Sequence, residues 1–280
     1  MTSREETELE LGSYLLSRRE MIENSLARYI VDSSRETLFG AMHYGIFPGG
    51  KRLRPVLLLM AAEALGMEPE PLLPVACSIE MIHCFSLLHD DLPCMDDDDM
   101  RRGRPSAHRK FGEAMALLAG DALLACAFEV AAGCSNPEVL RELAAATGAE
   151  GMTGGQALEL EWEGRQVGEE TLIEIHRRKT GALIRAAVRC GAILAGANRE
   201  ALSALTFYAE NIGLSFQIVD DLLDLTQDGE GKGFIQVFGM ERSREMAGAH
   251  TEKAIRSLSA FGSEAECLRA FAADLMERGS

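Results

Sequence analysis

The chain has 280 residues, 47% of them hydrophobic, and a formal net charge of −16. That is enough chain for a sizeable core, and its negative charge argues against nucleic acid or an anionic membrane surface as partner, since either would repel it at long range. Seven cysteines, Cys77, Cys84, Cys94, Cys126, Cys134, Cys190 and Cys267, form no CxxC pair and no zinc-type spacing. They read as free thiols of a reducing compartment. The charged N-terminus lacks the apolar stretch of a signal peptide and no apolar run reaches bilayer length, so the expected location is the cytoplasm.

Apolar positions at helical spacing predict a helix over about Glu6–Tyr29 and a short one over Glu36–Tyr44. The segment FPGGKRLRP, Phe47 to Pro55, is a Gly-Gly turn leading into an apolar helix, Val56–Leu65. Backbone amides at such a turn, with Lys51, Arg52 and Arg54 beside them, offer an anion seat; the plainer alternative is a basic loop that caps a helix. After a connection containing Pro69, Pro71 and Pro74, the helix Val75–Asp91 is apolar almost all round, with Glu80, His83, Ser86 and Asp90 on one stripe. The stretch from Ile82 to Ser106 holds six aspartates followed by three arginines. Pro93 must bend or end the helix there. On an undistorted helix Asp97, and not Asp96, would share the face of Asp90.

Beyond Ser106 the pattern is helix after helix: Gly112–Gly133, Pro137 to about Trp162, Glu169–Gly196, Arg199–Thr226, about Glu241–Gly262 and Glu264–Arg278, with no period-two strand series. In GMTGGQALELE, Gly151 to Glu161, the glycines allow close helix approach, and Gln156 and Glu159 are spaced i, i+3. Lys179 and Thr180 precede a segment of small apolar residues, where Lys179 is either a solvated end-of-helix cation or a diphosphate ligand. On the next helix Gln217, Asp220, Asp221 and Asp224 form a second polar stripe. Gln227 to Gly233, QDGEGKG, reads as a linker or a lid. No domain boundary is visible, so residues 1–280 are expected to form a single domain of helical-bundle type.

Carboxylates on the stripe of an otherwise apolar helix are costly unless paired or bound to metal. Each stripe alone could face water, but two of them, on different helices, point to one shared polynuclear metal site. Oxygen-only ligands select hard cations, and Mg²⁺ is commonly held by carboxylates together with substrate phosphates. A phosphate ester is therefore the expected substrate.

These residues carry a resemblance. GGKRLRP at Gly49–Pro55, DDLPCMD at Asp90–Asp96 followed by DDDMRRGRPS, GMTGGQ at Gly151–Gln156, KTG at Lys179–Gly181 and FQIVDDLLD at Phe216–Asp224 occur in the order found in trans-isoprenyl diphosphate synthases. Over nearly its whole length the chain resembles the farnesyl and geranylgeranyl diphosphate synthase group. That resemblance implies an all-α fold of the isoprenoid synthase type, a single large bundle around a deep central cavity, assembled as a homodimer. It implies a prenyltransferase condensing isopentenyl diphosphate with an allylic diphosphate. Asp90, Asp91 and Asp96 would bind Mg²⁺ on one side and Asp220, Asp221 and Asp224 on the other, roughly three ions in all. Arg101 and Lys179 would hold the allylic diphosphate, while Lys51, Arg54, His83 and Arg102 would seat isopentenyl diphosphate. Thr180 and Gln217 would lie near the developing carbocation. Phe85, with Ser86, would set chain length, an aromatic wall resembling the short-product bacterial farnesyl enzymes.

The resemblance weakens after Asp224. The family usually continues through a longer loop into a K-x-T-[YF] segment, whereas TQDGEGKGFIQVFG is shorter and lacks the threonine, leaving Lys232 as the remnant of that lysine. Glu159 stands where aspartate is more usual. Farnesyl diphosphate is the expected product, with geranylgeranyl or geranyl diphosphate as alternatives. Three rival readings stand beside the synthase: a non-catalytic partner of a prenyl synthase; a terpene cyclase, which would lack both DDLLD and GGKRLRP; and a generic acidic metal-binding module, for which there is no EF-hand loop pattern.

Overall fold

The structure, a computed structural model, describes residues 3–30, 37–47, 49–228 and 233–278. Among the described residues fourteen α-helices follow one another: α1 (Ser3–Tyr29), α2 (Thr37–Ile46), α3 (Leu53–Glu63), α4 (Leu73–Asp90), α5 (Ala107–Phe111), α6 (Glu113–Ala132), α7 (Pro137–Thr147), α8 (Met152–Trp162), α9 (Glu169–His176), α10 (Ala182–Leu194), α11 (Arg199–Asp228), α12 (Gly233–Phe238), α13 (Met240–Ser257) and α14 (Glu266–Arg278). The fold is all-α. Among the described residues the β structure is one two-residue ladder, Met100 opposite Pro105 and Arg101 opposite Arg104. Arg102 and Gly103 turn it at positive φ, 54° and 72°, as tight two-residue hairpins require.

The chain divides into two compact units, one made of residues 16–56 and 70–140, the other of residues 1–15, 57–69 and 141–280. In the first, α4 starts with a proline in its opening turn, where the missing N–H costs nothing, and packs against α6 and α2. Val75, Ile79, Ile82, Ile22, Leu26 and Ile46 are buried there. Asp90 closes the helix three residues ahead of Pro93. In the second unit α11 lies between α10 and α13, over a core that includes Leu183, Val188, Ile212 and Phe271. Tyr208 is also buried, and its hydroxyl donates to the Leu268 carbonyl at 2.7 Å.

Three expectations about helix limits are corrected. Residues 137–162 are two helices, because the chain leaves α7 at Gly148 and re-enters at Gly151, whose φ and ψ of −119° and −136° are not helical. Residues 169–196 are interrupted at Arg177–Gly181 by a π-helical turn; such widened turns cost helix geometry and concentrate at functional sites. The linker-like segment is helical at both ends, in α11 and α12, while residues 229–232, Lys232 among them, lie outside the described residues. The bilayer expectation also changes. Two helical stretches, Glu70–Asp90 and Glu113–Ala132, are long and apolar enough to cross a membrane, 67% and 33% of their windows being buried inside the protein.

Candidate active site

In the first unit the end of α4 organises the acidic stretch. Asp91 is buried, and Arg101 reaches it with both Nε, at 2.8 Å, and Nη2. The same Nη2 donates to Asp98 at 3.0 Å. Burial pushes the Asp91 carboxyl up, and the Arg101 guanidinium pulls it partly back. The backbone N–H of Asp96 donates to the Asp90 carbonyl at 2.9 Å, so the turn through Pro93 folds Asp96 back against Asp90. Asp97, at φ 50°, goes elsewhere: its carboxylate, one of Asp99 and the buried His108 bring ligand atoms within 4.8 Å of one another. Arg109 occupies both Asp99 oxygens, at 2.8 and 3.1 Å. The main chain thus returns Asp96 to Asp90, while Asp97 joins Asp99 and His108.

The glycine turn is built to admit arginines. A Cβ on Gly49 would sit 2.3 Å from the Arg52 guanidinium, and one on Gly50 would sit 2.7 Å from that of Arg102. Arg52 itself does not belong to an anion seat. It is 2% exposed, donates to Glu80 at 2.6 Å and to the Ile46 carbonyl at 2.8 Å, and anchors the turn from beneath. Lys51 and Arg102 are exposed and Arg54 is half-buried. His83 lies 3.4 Å from Arg54 Nη1. Burial, and then the nearby Arg54 and Arg102, hold His83 well below the ordinary imidazole range. It is neutral, and its Nε2 accepts from Arg54. Phe85 is half-buried, edge-on to His89 at 5.0 Å, and the Ser86 hydroxyl donates to the His83 carbonyl at 2.9 Å.

In the second unit the π turn carries Lys179 and Thr180 beside α8 and α11. A Cβ on Gly155 would lie 2.2 Å from the Lys179 backbone nitrogen, so this glycine is what lets α8 close onto the turn, as its sequence foreshadowed. Lys179 pairs with Glu159, a partner the sequence reading passed over. Thr180 donates to Gln217 Oε1 at 3.0 Å, and Gln217 Nε2 donates to Asp221 at 3.0 Å. The other Asp221 oxygen accepts the Phe234 N–H at 2.8 Å. Burial pushes the Asp221 carboxyl up, and these two donors lower it in part. Asp220 and Asp224, the neighbouring i, i+4 pair of α11, are half-buried and exposed respectively.

One arrangement recurs in both motifs: the second aspartate of each DD pair is engaged by protein donors. The donor chemistry that fits a hard divalent cation, all carboxylate oxygen, is present on Asp90 and Asp96 in one unit and on Asp220 and Asp224 in the other. Sequence reasoning passed over His176, and it marked Gln156 only by its spacing from Glu159. Both are buried, and among the described residues no hydrogen-bond partner reaches their side-chain nitrogens or oxygen; the imidazole stacks on Phe234 at 5.1 Å. Helical periodicity marked both positions but could not show what faces them.

A family profile described as polyprenyl synthetase matches residues 35–236. The farnesyl diphosphate synthase of Escherichia coli (strain K12) is 47% identical, over 78% of this chain and 80% of its own length. The chloroplastic heterodimeric geranylgeranyl pyrophosphate synthase large subunit 1 of Arabidopsis thaliana is 39% identical, over 93% of this chain and 77% of its own. The apo crystal structure of an FPP/GFPP synthase from Zymomonas mobilis has a TM-score of 0.87 at 38% identity, covering 96% of this chain and 99% of that one.

Proposed function

This chain belongs to the polyprenyl synthetase family, the trans-prenyl diphosphate synthases, and from that premise we propose that it condenses isopentenyl diphosphate with dimethylallyl and geranyl diphosphate, dependent on Mg²⁺, to give farnesyl diphosphate. The observation that carries this reading is the polar side of α11: Gln217, Asp220, Asp221 and Asp224, with the Lys179–Glu159 pair and Thr180 on the π turn beside it.

The chemistry needs a place for charge to go. Breaking the allylic C–O bond sends its electron pair to the diphosphate and leaves a carbocation, so groups that bind the departing charge more tightly than the bound ester lower the barrier. Asp90 and Asp96, and Asp220 and Asp224, would hold Mg²⁺, which would supply Lewis-acid stabilisation of that charge. Arg101, oriented by Asp91, and Lys179, oriented by Glu159, add fixed cations for the same diphosphate. Lys51, Arg54 and Arg102 seat isopentenyl diphosphate, with the neutral His83 as a hydrogen-bonding neighbour held by Arg54. Thr180 and Gln217, joined by their own hydrogen bond, would lie near the developing cation. The double bond of isopentenyl diphosphate forms the new C–C bond, and the proton then lost goes to the released diphosphate. No side chain need act as a base on carbon.

Phe85, aromatic and five residues before Asp90, supports a short product. The apolar α6 supports a homodimer. Leu117 and Leu118 remain 44% and 50% exposed on it, and a second copy laid on that face removes apolar surface from water without calling for a membrane. The seven cysteines are free, which suits a reducing cytoplasm.

Incubation with geranyl or dimethylallyl diphosphate, isopentenyl diphosphate and Mg²⁺, with products separated by chromatography, tests the reading. Farnesyl diphosphate as the main product supports it. A longer diphosphate would overturn the product assignment, hydrocarbons would indicate a cyclase, and no turnover would favour a partner subunit.

A further inference from the structure

The stripe on α11 is two rows with different partners. Asp220 and Asp224 make one i, i+4 pair, Gln217 and Asp221 the next. Both oxygens of Asp221 are taken by protein donors, Gln217 Nε2 at 3.0 Å and the Phe234 N–H at 2.8 Å. A carboxylate only accepts, so it forces the Gln217 amide to present nitrogen to Asp221 and oxygen to Thr180. The Thr180 hydroxyl must then donate, as the 3.0 Å contact to Gln217 Oε1 shows. The polarity of the whole Thr180–Gln217–Asp221 chain is set from its Asp221 end.

Asp221 also holds α12. Gly233, at φ 54°, sits so close that a Cβ there would fall 2.2 Å from an Asp221 oxygen. Only a glycine lets the carboxylate reach the next amide. The Phe234 ring is fully buried and stacks on His176 at 5.1 Å and 28°. The helix after the aspartate motif is therefore docked at two points, an amide on Asp221 and a ring on a neutral imidazole.

Resting on the prenyltransferase reading above, we propose that Asp221 is a positioning residue rather than a metal ligand: its carboxylate fixes the orientation of the Gln217–Thr180 pair and ties α12 to α11 through the Phe234 amide. The job of a cation ligand falls to Asp220 and Asp224 alone on this helix.

Asparagine at 221 keeps the size but not the acceptors. With its oxygen on the Phe234 amide, its nitrogen confronts Gln217 Nε2, and Gln217 must flip, turning Thr180 from donor to acceptor. Asp221→Asn should therefore lower kcat about 10- to 100-fold through misorientation. Binding of Mn²⁺, the EPR-visible stand-in for Mg²⁺, measured with inorganic pyrophosphate, should stay within about twofold of wild type, well under one pK-unit equivalent of binding energy. Asp221→Ala should raise amide exchange across residues 234–238 about tenfold or more in the metal-free protein, since it cuts a buried hydrogen bond. Asp220→Asn should do the reverse, weakening Mn²⁺ and leaving that exchange unchanged. The proposal is overturned if Asp221→Asn weakens Mn²⁺ as much as Asp220→Asn does, or if exchange over α12 does not respond to Asp221→Ala. Should the alanine variant not fold, the Mn²⁺ comparison with Asp221→Asn decides. Absence of turnover in the wild type would instead count against the prenyltransferase reading, and the metal and exchange measurements would still judge Asp221.

Discussion

Glu80→Gln removes one charge from the buried pair beneath the glycine turn. Arg52 and Glu80 are 2% and 1% exposed and meet at 2.6 Å. After the change the guanidinium keeps the Ile46 carbonyl at 2.8 Å and the half-exposed Glu23 at 3.5 Å, neither of which supplies a buried counter-charge. Breaking a buried pair from one side costs about 3 to 5 kcal/mol, because the remaining ion is left uncompensated. The amide still accepts a hydrogen bond, which places the expectation at the lower end, about 3 kcal/mol. For a chain of this size that is a fall in Tm of about 6 to 12 °C. Thermal unfolding by circular dichroism at pH 7 reads it. The double replacement Arg52→Met with Glu80→Met should lie nearer wild type than either single change, since no charge is then stranded. A Tm for Glu80→Gln within about 1 °C of wild type would refute the assignment of Arg52 as an anchor and return it to the substrate-binding set.

Phe85→Ala should shift the product toward geranylgeranyl diphosphate, read by chromatography; an unchanged product length contradicts the wall assignment. Burial pushes His176 from 6.5 down to about 4. The unfolded chain therefore takes up a proton that the folded protein refuses, and the His176 share of stability is whole above pH 6.5 and falls as pH drops toward 4, by about 3 kcal/mol. Urea unfolding of His176→Leu against wild type should show a shallower loss over that window; equal slopes contradict a buried neutral imidazole. Leu118→Glu should convert a dimer to a monomer in sedimentation velocity, and a dimer that survives it would move the interface off α6.

The helical class and most of the long helices were legible because apolar residues recur at helical spacing, though α7 and α8 were read as one helix, α9 and α10 as another, and the short α5 and α12 were not read at all; the two aspartate stripes were legible because carboxylates are conspicuous on apolar helices. What the sequence hid was partner choice. Lys51, Arg52 and Arg54 look alike in GGKRLRP, yet Arg52 is fully buried and pairs with a Glu80 that lies on a different helix. Asp220 and Asp221 are identical letters in one stripe, and only the fold brings the Phe234 amide to the second of them. The break at Gly148–Gly151 was masked because glycines there also serve close packing, as Gly155 does against Lys179. The π turn left no sequence signal that periodicity could read, since it adds a widened turn without changing which residues are apolar.

The most direct test of the account is the rate of farnesyl diphosphate formation from geranyl and isopentenyl diphosphates, measured in wild type and Asp220→Ala with Mg²⁺ removed by EDTA and then restored. The account predicts turnover in wild type that disappears with EDTA and returns with Mg²⁺, and a loss of at least about a hundredfold in Asp220→Ala, with its circular dichroism unchanged. Turnover that ignores EDTA, or an Asp220→Ala enzyme as fast as wild type, would contradict it.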